Sequence, residues 1–292
     1  MTLQAREQPT YKTRAPAKLN IRLKITGTRA DGYHELVSIM VPITLFDFLE
    51  IRKKRSPGIE LACEGIQAPG GEKNLVFRAA SSFFSRSGVS GGVFIKLAKN
   101  IPVAAGMGGG SSDAAATLLL LNDIFEKPLS TKELHTLALE LGADVPFFLL
   151  CKPCLARGIG EILEPLNHWP STWYVVITPP AQVSTAWAYA NAKLELTKDE
   201  YIFIHKKLRD EQIVVSSVLE NDLEKVTSAR FPIIHEIKEL LLEAGAEGAL
   251  MTGSGPSVFG VFASSKRAHQ ARERLFPKNL GRVFVATEWR RR

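Results

Sequence analysis

A run of glycines before a predicted helix constrains the fold of this chain more than any other feature. Four of the five residues at positions 106–110 are glycine, and a Ser-Ser-Asp sequence and the helix-forming run Ala114 to Leu121 follow. Glycine tolerates positive φ, and Ser and Asp favour helix N-termini, so we expect a helix to begin just after the glycines. Its unpaired amides and positive dipole end would make an anion site suited to a phosphate chain.

Two common phosphate-binding loops are excluded by the residues that follow the glycines. A Walker A loop needs a lysine directly after its last glycine, and no lysine is present there. The dinucleotide pattern Gly-x-Gly-x-x-Gly fails because Ser111 occupies the place of its last glycine. A tight turn before a buried helix stays open as an alternative, because close helix packing also selects glycine.

Length and composition indicate a globular protein of two domains. The chain has 292 residues, more than a single core usually supports, and a cluster of Pro and Trp near residue 165 suggests domains at 10–165 and 166–292. Charged residues make up 23% and hydrophobic residues 45%, which argues against disorder. No apolar stretch is long enough to cross a membrane, and the N-terminus lacks the apolar core of a signal peptide, so we expect a cytoplasmic protein without a membrane partner.

The net charge of +7 calls for an anionic partner. The basic residues of the chain are scattered and have no interleaved aromatic residues, so small anionic molecules are favoured over nucleic acid as partners.

The three cysteines are expected to be free thiols. Cys151 and Cys154 have the spacing of a redox or zinc pair, but no second pair lies nearby, so we expect neither a metal nor a disulfide.

The residues after Ala15 alternate between apolar and polar, which predicts a half-buried strand with Lys18 and Asn20 on one face. An Asp-Gly turn then places Tyr33 and His34 just beyond a tight bend, where an aromatic face and an imidazole can meet a heterocycle.

Further along the chain, one or two strands are predicted from Val37 to Ile51, with Asp47 and Glu50 on the solvent side. The sequence also predicts an N-cap at Asn74, a capping box at Ser130, a cap at Asp144 and a helix start at Asn221. From Ile233 onward the predicted order is helix, strand, strand, helix, strand, which is typical of a ferredoxin-like antiparallel sheet.

Four motifs, in the same order, resemble those of the kinases named for galactokinase, homoserine kinase, mevalonate kinase and phosphomevalonate kinase, the GHMP superfamily. The Gly-Gly-Gly-Ser-Ser-Asp loop resembles their ATP loop, and residues 253–257 resemble their third motif. Ala-Lys18-Leu-Asn20 with Gly-Tyr33-His34, and Gly-Ala-Asp144-Val-Pro, closely resemble the superfamily's kinases of a cytidyl diphosphate sugar alcohol, from the non-mevalonate isoprenoid pathway. The resemblance runs from Ala15 to about residue 263. It departs at the basic N-terminal extension, before Tyr189 and at the C-terminus.

The resemblance implies an α+β fold of two domains, an N-terminal ribosomal-protein-S5-domain-2-like ATP domain and a C-terminal ferredoxin-like domain. It implies ATP and Mg²⁺ as cofactors, with Lys18 and Asp144 as the catalytic pair, and with Ser111 or Ser112, and less so Asp113, as magnesium ligands. The implied ATP-binding residues are Asn74, Lys99, Pro102, Val103, Ala104, Ala105, Gly106, Met107, Gly108, Gly109, Gly110, Ser111 and Ser112.

For the second substrate, the resemblance implies a cytosine held between aromatic rings. The implied substrate-binding residues are Asn20, Tyr33, His34, Thr185 and Tyr189, with Trp187 as the alternative to Tyr189. Gly253 and Gly255 would shape the floor of the site. We expect a monomer or weak homodimer. A sibling kinase for homoserine or mevalonate, an ATP-binding sensor without catalysis and a basic nucleic-acid binder are the alternatives.

Overall fold

The computed structural model describes residues 9–192, 200–209 and 213–291. The chain forms two compact units whose segments alternate along the sequence. The first unit takes residues up to Pro16, Phe46–Val103 and Gly109–Leu149, and the second takes Ala17–Leu45, Ala104–Gly108 and the chain from Leu150 onward. The domain boundary near residue 165 stays a prediction.

The strands are β1 (Thr10–Thr28), β2 (His34–Lys54), β3 (Gly58–Gly65), β4 (Gly92–Lys99), β5 (Cys154–Arg157), β6 (Ile162–Pro165), β7 (Trp173–Thr178), β8 (Glu220–Asn221), β9 (Gly248–Met251), β10 (Val258–Phe262) and β11 (Arg282–Thr287). The α-helices are α1 (Leu75–Ser87), α2 (Gly109–Ile124), α3 (Thr131–Leu141), α4 (Val145–Leu150), α5 (Thr185–Asn191), α6 (Glu200–Arg209), α7 (Glu224–Arg230), α8 (Ile233–Glu243) and α9 (Ser265–Leu275).

In the first unit, three helices pack on one another beside a small sheet. Strand β4 pairs in parallel with β3 and antiparallel with the second half of β2. Helices α1, α2 and α3 are mutually in contact. Two of the three predicted caps are confirmed: the Asn74 side chain accepts a hydrogen bond from the Val76 amide, and Ser130 and Glu133 form a reciprocal capping box.

The second unit contains an antiparallel sheet in the strand order β11-β7-β10-β9. Helix α8 packs on β9 and β10, and α9 packs on β7 and β11, so the predicted ferredoxin-like order of elements is confirmed. Its core joins apolar residues of the sheet, such as Val175 and Phe262, to those of the helices, such as Ile237. In the same unit, β8 pairs in parallel with β1 at Leu23, and β5 pairs with the first half of β2.

Three local predictions were wrong, two because packing buries the residues and one because Asn221 pairs with a neighbouring strand. Strand β1 is buried at every residue from Ala15 to Leu23, so it is covered on both faces and is not half-buried. Asp47 is fully buried and does not face solvent. Asn221 lies in β8, and the helix predicted to start there begins at Glu224.

Candidate active site

The glycine loop, residues 102–110, connects β4 to α2. Helix α2 begins at Gly109, inside the glycine run, so the prediction of a start after the glycines was wrong by two residues. Ser111 and Ser112 therefore lie in the first turn. Gly106 has φ of 77° and Gly108 has φ of 67°, a conformation that glycine adopts at little cost. The loop also contains one non-glycine residue with positive φ, the exposed Ala104 at 53°.

Gly106 is also required by close packing within the second unit. A Cβ built at Gly106 would lie 2.1 Å from the carbonyl oxygen of Thr252. Gly253 also approaches closely, since its Cβ would lie 2.8 Å from the carbonyl oxygen of Gly106. The turn at residues 251–257 thus lies directly against the glycine loop, as a supporting role requires. That Gly253 and Gly255 form the floor of an active site stays a prediction.

Lys18 and Asn20 lie side by side on β1, as their alternation predicts. The Lys18 ammonium donates to Oδ1 of Asn20, and the Lys18 backbone N–H donates to the carbonyl of Met107 at 3.0 Å. Asn20 is held by its own contacts: Nδ2 donates to Oγ of Ser38 at 2.8 Å, and that hydroxyl donates to the carbonyl of Arg22 at 2.6 Å. This series of hydrogen bonds fixes the Asn20 amide and so orients the Lys18 ammonium next to the glycine loop.

A buried ion cluster in the first unit lies under the start of α2. The Lys99 ammonium contacts Oδ2 of Asp47 and donates to Oδ2 of Asp113 at 2.8 Å. The other oxygen of Asp47 accepts the backbone N–H groups of Asn100 at 2.6 Å and Ile101 at 2.8 Å. Asp47 thereby fixes both the lysine and the segment that enters the glycine loop.

Burial and charge shift the pKa values in this cluster in definite directions. Burial alone would lower the pKa of the Lys99 ammonium, but the charges of Asp113 and Asp47 outweigh it and raise that pKa above its ordinary value. Burial raises the pKa of the Asp113 carboxyl well above its ordinary value; Lys99 opposes that shift and Asp47 adds to it. Lys99 therefore stays charged, and the negative form of Asp113 is disfavoured.

The hydroxyl and carboxyl groups at the start of α2 are candidates for a magnesium ion that arrives with a nucleotide. Among the residues that the structure describes, Oγ of Ser112 and Oδ1 of Asp113 are buried without a hydrogen-bond partner. Mg²⁺ prefers oxygen ligands of this kind. In the same residues, no group of three or more His, Cys, Asp or Glu side chains is arranged to hold a metal by itself. The donor set fits an ion that is mainly held by phosphate oxygens.

Asn74 and Asp144, both in the first unit, lie at helix starts. The Asn74 amide is occupied by capping, and its Nδ2 donates to the carbonyl of Pro69 at 2.8 Å. Asp144 is half-buried directly before α4. Lys18 belongs to the second unit, so the predicted proximity of Lys18 to Asp144 stays a prediction.

The second unit brings His34 to Tyr189. Their rings stack with centroids 5.3 Å apart and an interplanar angle of 29°. Tyr33 is 58% exposed at the turn, and Oγ1 of Thr185 lies 3.0 Å from Oγ of Ser254. The alternative aromatic residue, Trp187, has its ring 4.5 Å below the Arg230 guanidinium instead.

Two residues that the sequence interpretation missed are central to this geometry. Asp47 interrupts a long apolar strand. An acidic residue in such a run indicates a buried, charged partner, whereas this position was predicted from the sequence to be exposed to solvent. Oγ1 of Thr252 accepts a hydrogen bond from the backbone N–H of Asn20 at 2.9 Å. The two residues are 232 positions apart, so no local sequence pattern predicts this contact.

The cysteines and helices give two further observations. Cys63, Cys151 and Cys154, all in the described part of the chain, are not disulfide-bonded, and the last two are buried. Burial raises the pKa of the Cys151 thiol to about 11. Within the described ranges, no helix is both long and apolar enough to cross a membrane.

The chain is similar to characterised kinases along almost its whole length. The model of the GHMP kinases N terminal domain matches residues 74–152, and that of the GHMP kinases C terminal domain matches residues 210–281. The 4-diphosphocytidyl-2-C-methyl-D-erythritol kinase of Syntrophotalea carbinolica is 45% identical over 93% of this chain and 96% of its own. That of Citrifermentans bemidjiense is 47% identical over 88% of this chain and 91% of its own.

Solved structures agree with these relatives. A crystal structure of 4-(cytidine 5'-diphospho)-2C-methyl-D-erythritol kinase superposes with a TM-score of 0.79 at 37% identity, covering 95% of this chain and 98% of that one. Homoserine kinase from Cytophaga hutchinsonii has a TM-score of 0.73 at 20% identity over 99% and 97% of the two chains, which shows a shared fold. The α+β fold of two GHMP kinase domains is therefore confirmed, and the chain belongs to the 4-diphosphocytidyl-2-C-methyl-D-erythritol kinase family of the GHMP kinases.

Proposed function

We propose that this protein is an ATP-dependent kinase that phosphorylates the 2-hydroxyl of 4-diphosphocytidyl-2-C-methyl-D-erythritol and releases ADP, as a step of the non-mevalonate (MEP) pathway of isoprenoid biosynthesis. The observation that carries the proposal is the 45% identity over 93% of the chain with a relative of that name. Both substrates are small molecules, and the reaction belongs in the cytoplasm, where ATP is available.

The ATP phosphates would be bound by the backbone amides of the glycine loop and the first turn of α2. A helix N-terminus and consecutive glycine amides are suited to this, because they offer unpaired donors and a positive dipole end. Magnesium would neutralise phosphate charge, with Ser111 or Ser112 as its protein ligand. Lys99 is bound by two carboxylates within its own unit, which supports a role in shaping this loop.

The chemistry would use Asp144 and Lys18. Asp144 would accept or orient the proton of the attacking hydroxyl. The Lys18 ammonium would stabilise charge that develops on the oxygen. The buried contacts of Lys18 with Asn20, and of Asn20 with Ser38, support this role because they hold the ammonium in one orientation.

The cytosine site would be formed by Tyr33, His34 and Tyr189. Two aromatic faces can enclose a base, and an imidazole can hydrogen-bond the edge of a pyrimidine. The position of Tyr189 beside His34 supports it over Trp187 as the stacking residue. Trp187 contacts Arg230 instead.

The test is magnesium-dependent ADP release by the purified protein, with the cytidyl substrate, homoserine and mevalonate as separate acceptors. We expect turnover with the cytidyl substrate only, and a fall in kcat of about 100- to 10,000-fold for Asp144→Asn and Lys18→Ala, because each removes a group that acts on the moving proton or its charge. ATP affinity should be retained in both variants.

The matched control is Asp123→Asn, the same change at an exposed position of α2, which should leave kcat unchanged. Preference for homoserine or mevalonate would overturn the cytosine site but leave the glycine loop intact. ATP binding without turnover on any acceptor would favour the sensor alternative.

A further inference from the structure

A buried amide side chain that has no part in the predicted site, Asn221, ties together three pieces of the second unit. The residue is 7% exposed. Its Nδ2 donates to the carbonyls of Met251 at 2.7 Å and Gly253 at 2.8 Å, and its Oδ1 accepts the backbone N–H of Leu223 at 3.0 Å. Only one orientation of the amide satisfies two acceptors and one donor, so these contacts define how the group is placed.

The two carbonyls flank Thr252, which touches the glycine loop. The Thr252 carbonyl oxygen lies 2.1 Å from the position that a Cβ at Gly106 would take, and Gly253 lies against the same glycine. The Thr252 hydroxyl accepts the backbone N–H of Asn20 at 2.9 Å. Residues 251–253, which we name the wedge, therefore contact both the glycine loop and the strand that carries Lys18.

Asn221 is in turn fixed to that strand. It is paired with Leu23 in the β8–β1 ladder, three positions from Asn20. The contacts of the Asn221 amide thus fix the distance between β1 and the wedge, and the contacts of the wedge fix the distance between β1 and Gly106. Lys18 connects β1 to the glycine loop directly, because its backbone N–H donates to the carbonyl of Met107.

We infer that Asn221 is a positioning residue: through the wedge it sets the shape of the glycine loop and its distance from Lys18. The reaction in which it acts is that of the proposed function, but the inference about loop shape concerns nucleotide binding and does not need turnover. Loss of the amide donors would leave two buried carbonyls unpaired and release the wedge.

The experiment compares Asn221→Asp and Asn221→Ala with Asn122→Asp. Asn122 is a fair control because it is also buried and also clamps a backbone segment, donating to and accepting from Leu129 at 3.0 Å each, but it lies near the end of α2 in the other unit. For each variant we would measure the melting temperature, the Kd for Mg-ATP by calorimetry, kcat, and hydrogen exchange of residues 104–108 and 251–257.

We expect Asn221→Asp to weaken Mg-ATP binding by about tenfold and to lower kcat by about 10- to 100-fold, because small displacements of reacting groups are costly. Aspartate places negative charge against two carbonyl oxygens, so it should act more strongly than alanine. Hydrogen exchange should accelerate in both segments. Asn122→Asp should lower the melting temperature alone.

A folded Asn221→Asp protein with wild-type Kd and exchange would overturn the inference, whatever its melting temperature. If Asn221→Asp does not fold, Asn221→Ala decides by the same criteria. Should both fail to fold, we would compare Thr252→Val, which removes the hydroxyl that accepts the Asn20 backbone N–H, with Thr252→Ser, which keeps a hydroxyl there. Equal Kd and kcat in these two variants would overturn the inference. If the wild-type protein binds ATP but does not phosphorylate the cytidyl substrate, the proposed function fails and the Kd and exchange data still test Asn221.

Discussion

Lys99 faces two buried carboxylates, and the two differ in what else they contact. Asp47 accepts hydrogen bonds from the ammonium and from two backbone N–H groups. Asp113 receives the ammonium alone, and its other oxygen has no partner among the described residues. The cluster is therefore asymmetric: Asp47 also anchors the backbone that enters the glycine loop, and burial raises the pKa of the Asp113 carboxyl.

At this scale we predict that Asp47→Ala lowers the free energy of unfolding by about 3–5 kcal/mol, because it leaves the Lys99 charge poorly compensated in the interior and frees two amides. Urea denaturation measures it. The control is Glu64→Ala, which breaks the ion pair of Glu64 with Lys96, whose side chains are 54% and 42% exposed, and should cost less than about 1 kcal/mol. Equal effects in the two variants would contradict the prediction.

Single residues were predictable from the sequence where chemistry repeats locally. The alternation around Lys18 placed it on the same face as Asn20, and the caps at Asn74 and Ser130 followed from residue type alone. Asp47 and Thr252 were not predictable in this way, because their partners are distant in sequence and burial on both faces of a strand leaves no alternation.

Among the elements, the glycine loop shows two different uses of glycine at positions 106 and 110. Gly106 has positive φ and touches a backbone carbonyl, so both conformation and space exclude a side chain. Gly110, in the first turn of α2, is exposed, and a Cβ there would meet only the flexible end of Leu75 at 3.4 Å.

We therefore predict that Gly106→Ala lowers the free energy of unfolding by at least about 2 kcal/mol, whereas Gly110→Ala changes it by less than about 1 kcal/mol. Denaturant titration of the two proteins side by side gives the comparison. Similar stabilities would mean that the turn at residues 251–257 yields more easily than its contacts indicate.

Secondary structure was predictable where local sequence, and not tertiary packing, determines an element. The order of elements from α8 to β11 agrees with prediction because periodicity defines these elements locally. The starts of α2 and α7 were shifted because packing, and not capping residues, determines them. Gly109 lies over Ile101 and Lys99, and Asn221 is drawn into a strand pair.

For the molecule as a whole, ligand binding should be visible as added stability. Mg-ATP at a concentration about 100 times its Kd should stabilise the native protein by about 2.7 kcal/mol, which is about 5 °C in melting temperature for a chain of this size. Scanning fluorimetry measures the shift. Asp144→Asn should keep the shift and Gly106→Ala should lose most of it; a loss in Asp144→Asn would assign that residue to nucleotide binding and not to chemistry.

The alternation of the two units along the sequence has a consequence for biosynthesis. The last segment of the first unit ends at Leu149, so this unit can be completed when about half of the chain has left the ribosome. Residues 17–45 belong to the other unit, and their apolar side chains must wait for the second half of the chain, which takes on the order of 10 s at ordinary translation rates. During that interval the nascent chain carries two unfinished β-strands rich in hydrophobic residues, so slower synthesis should make this protein more dependent on chaperones.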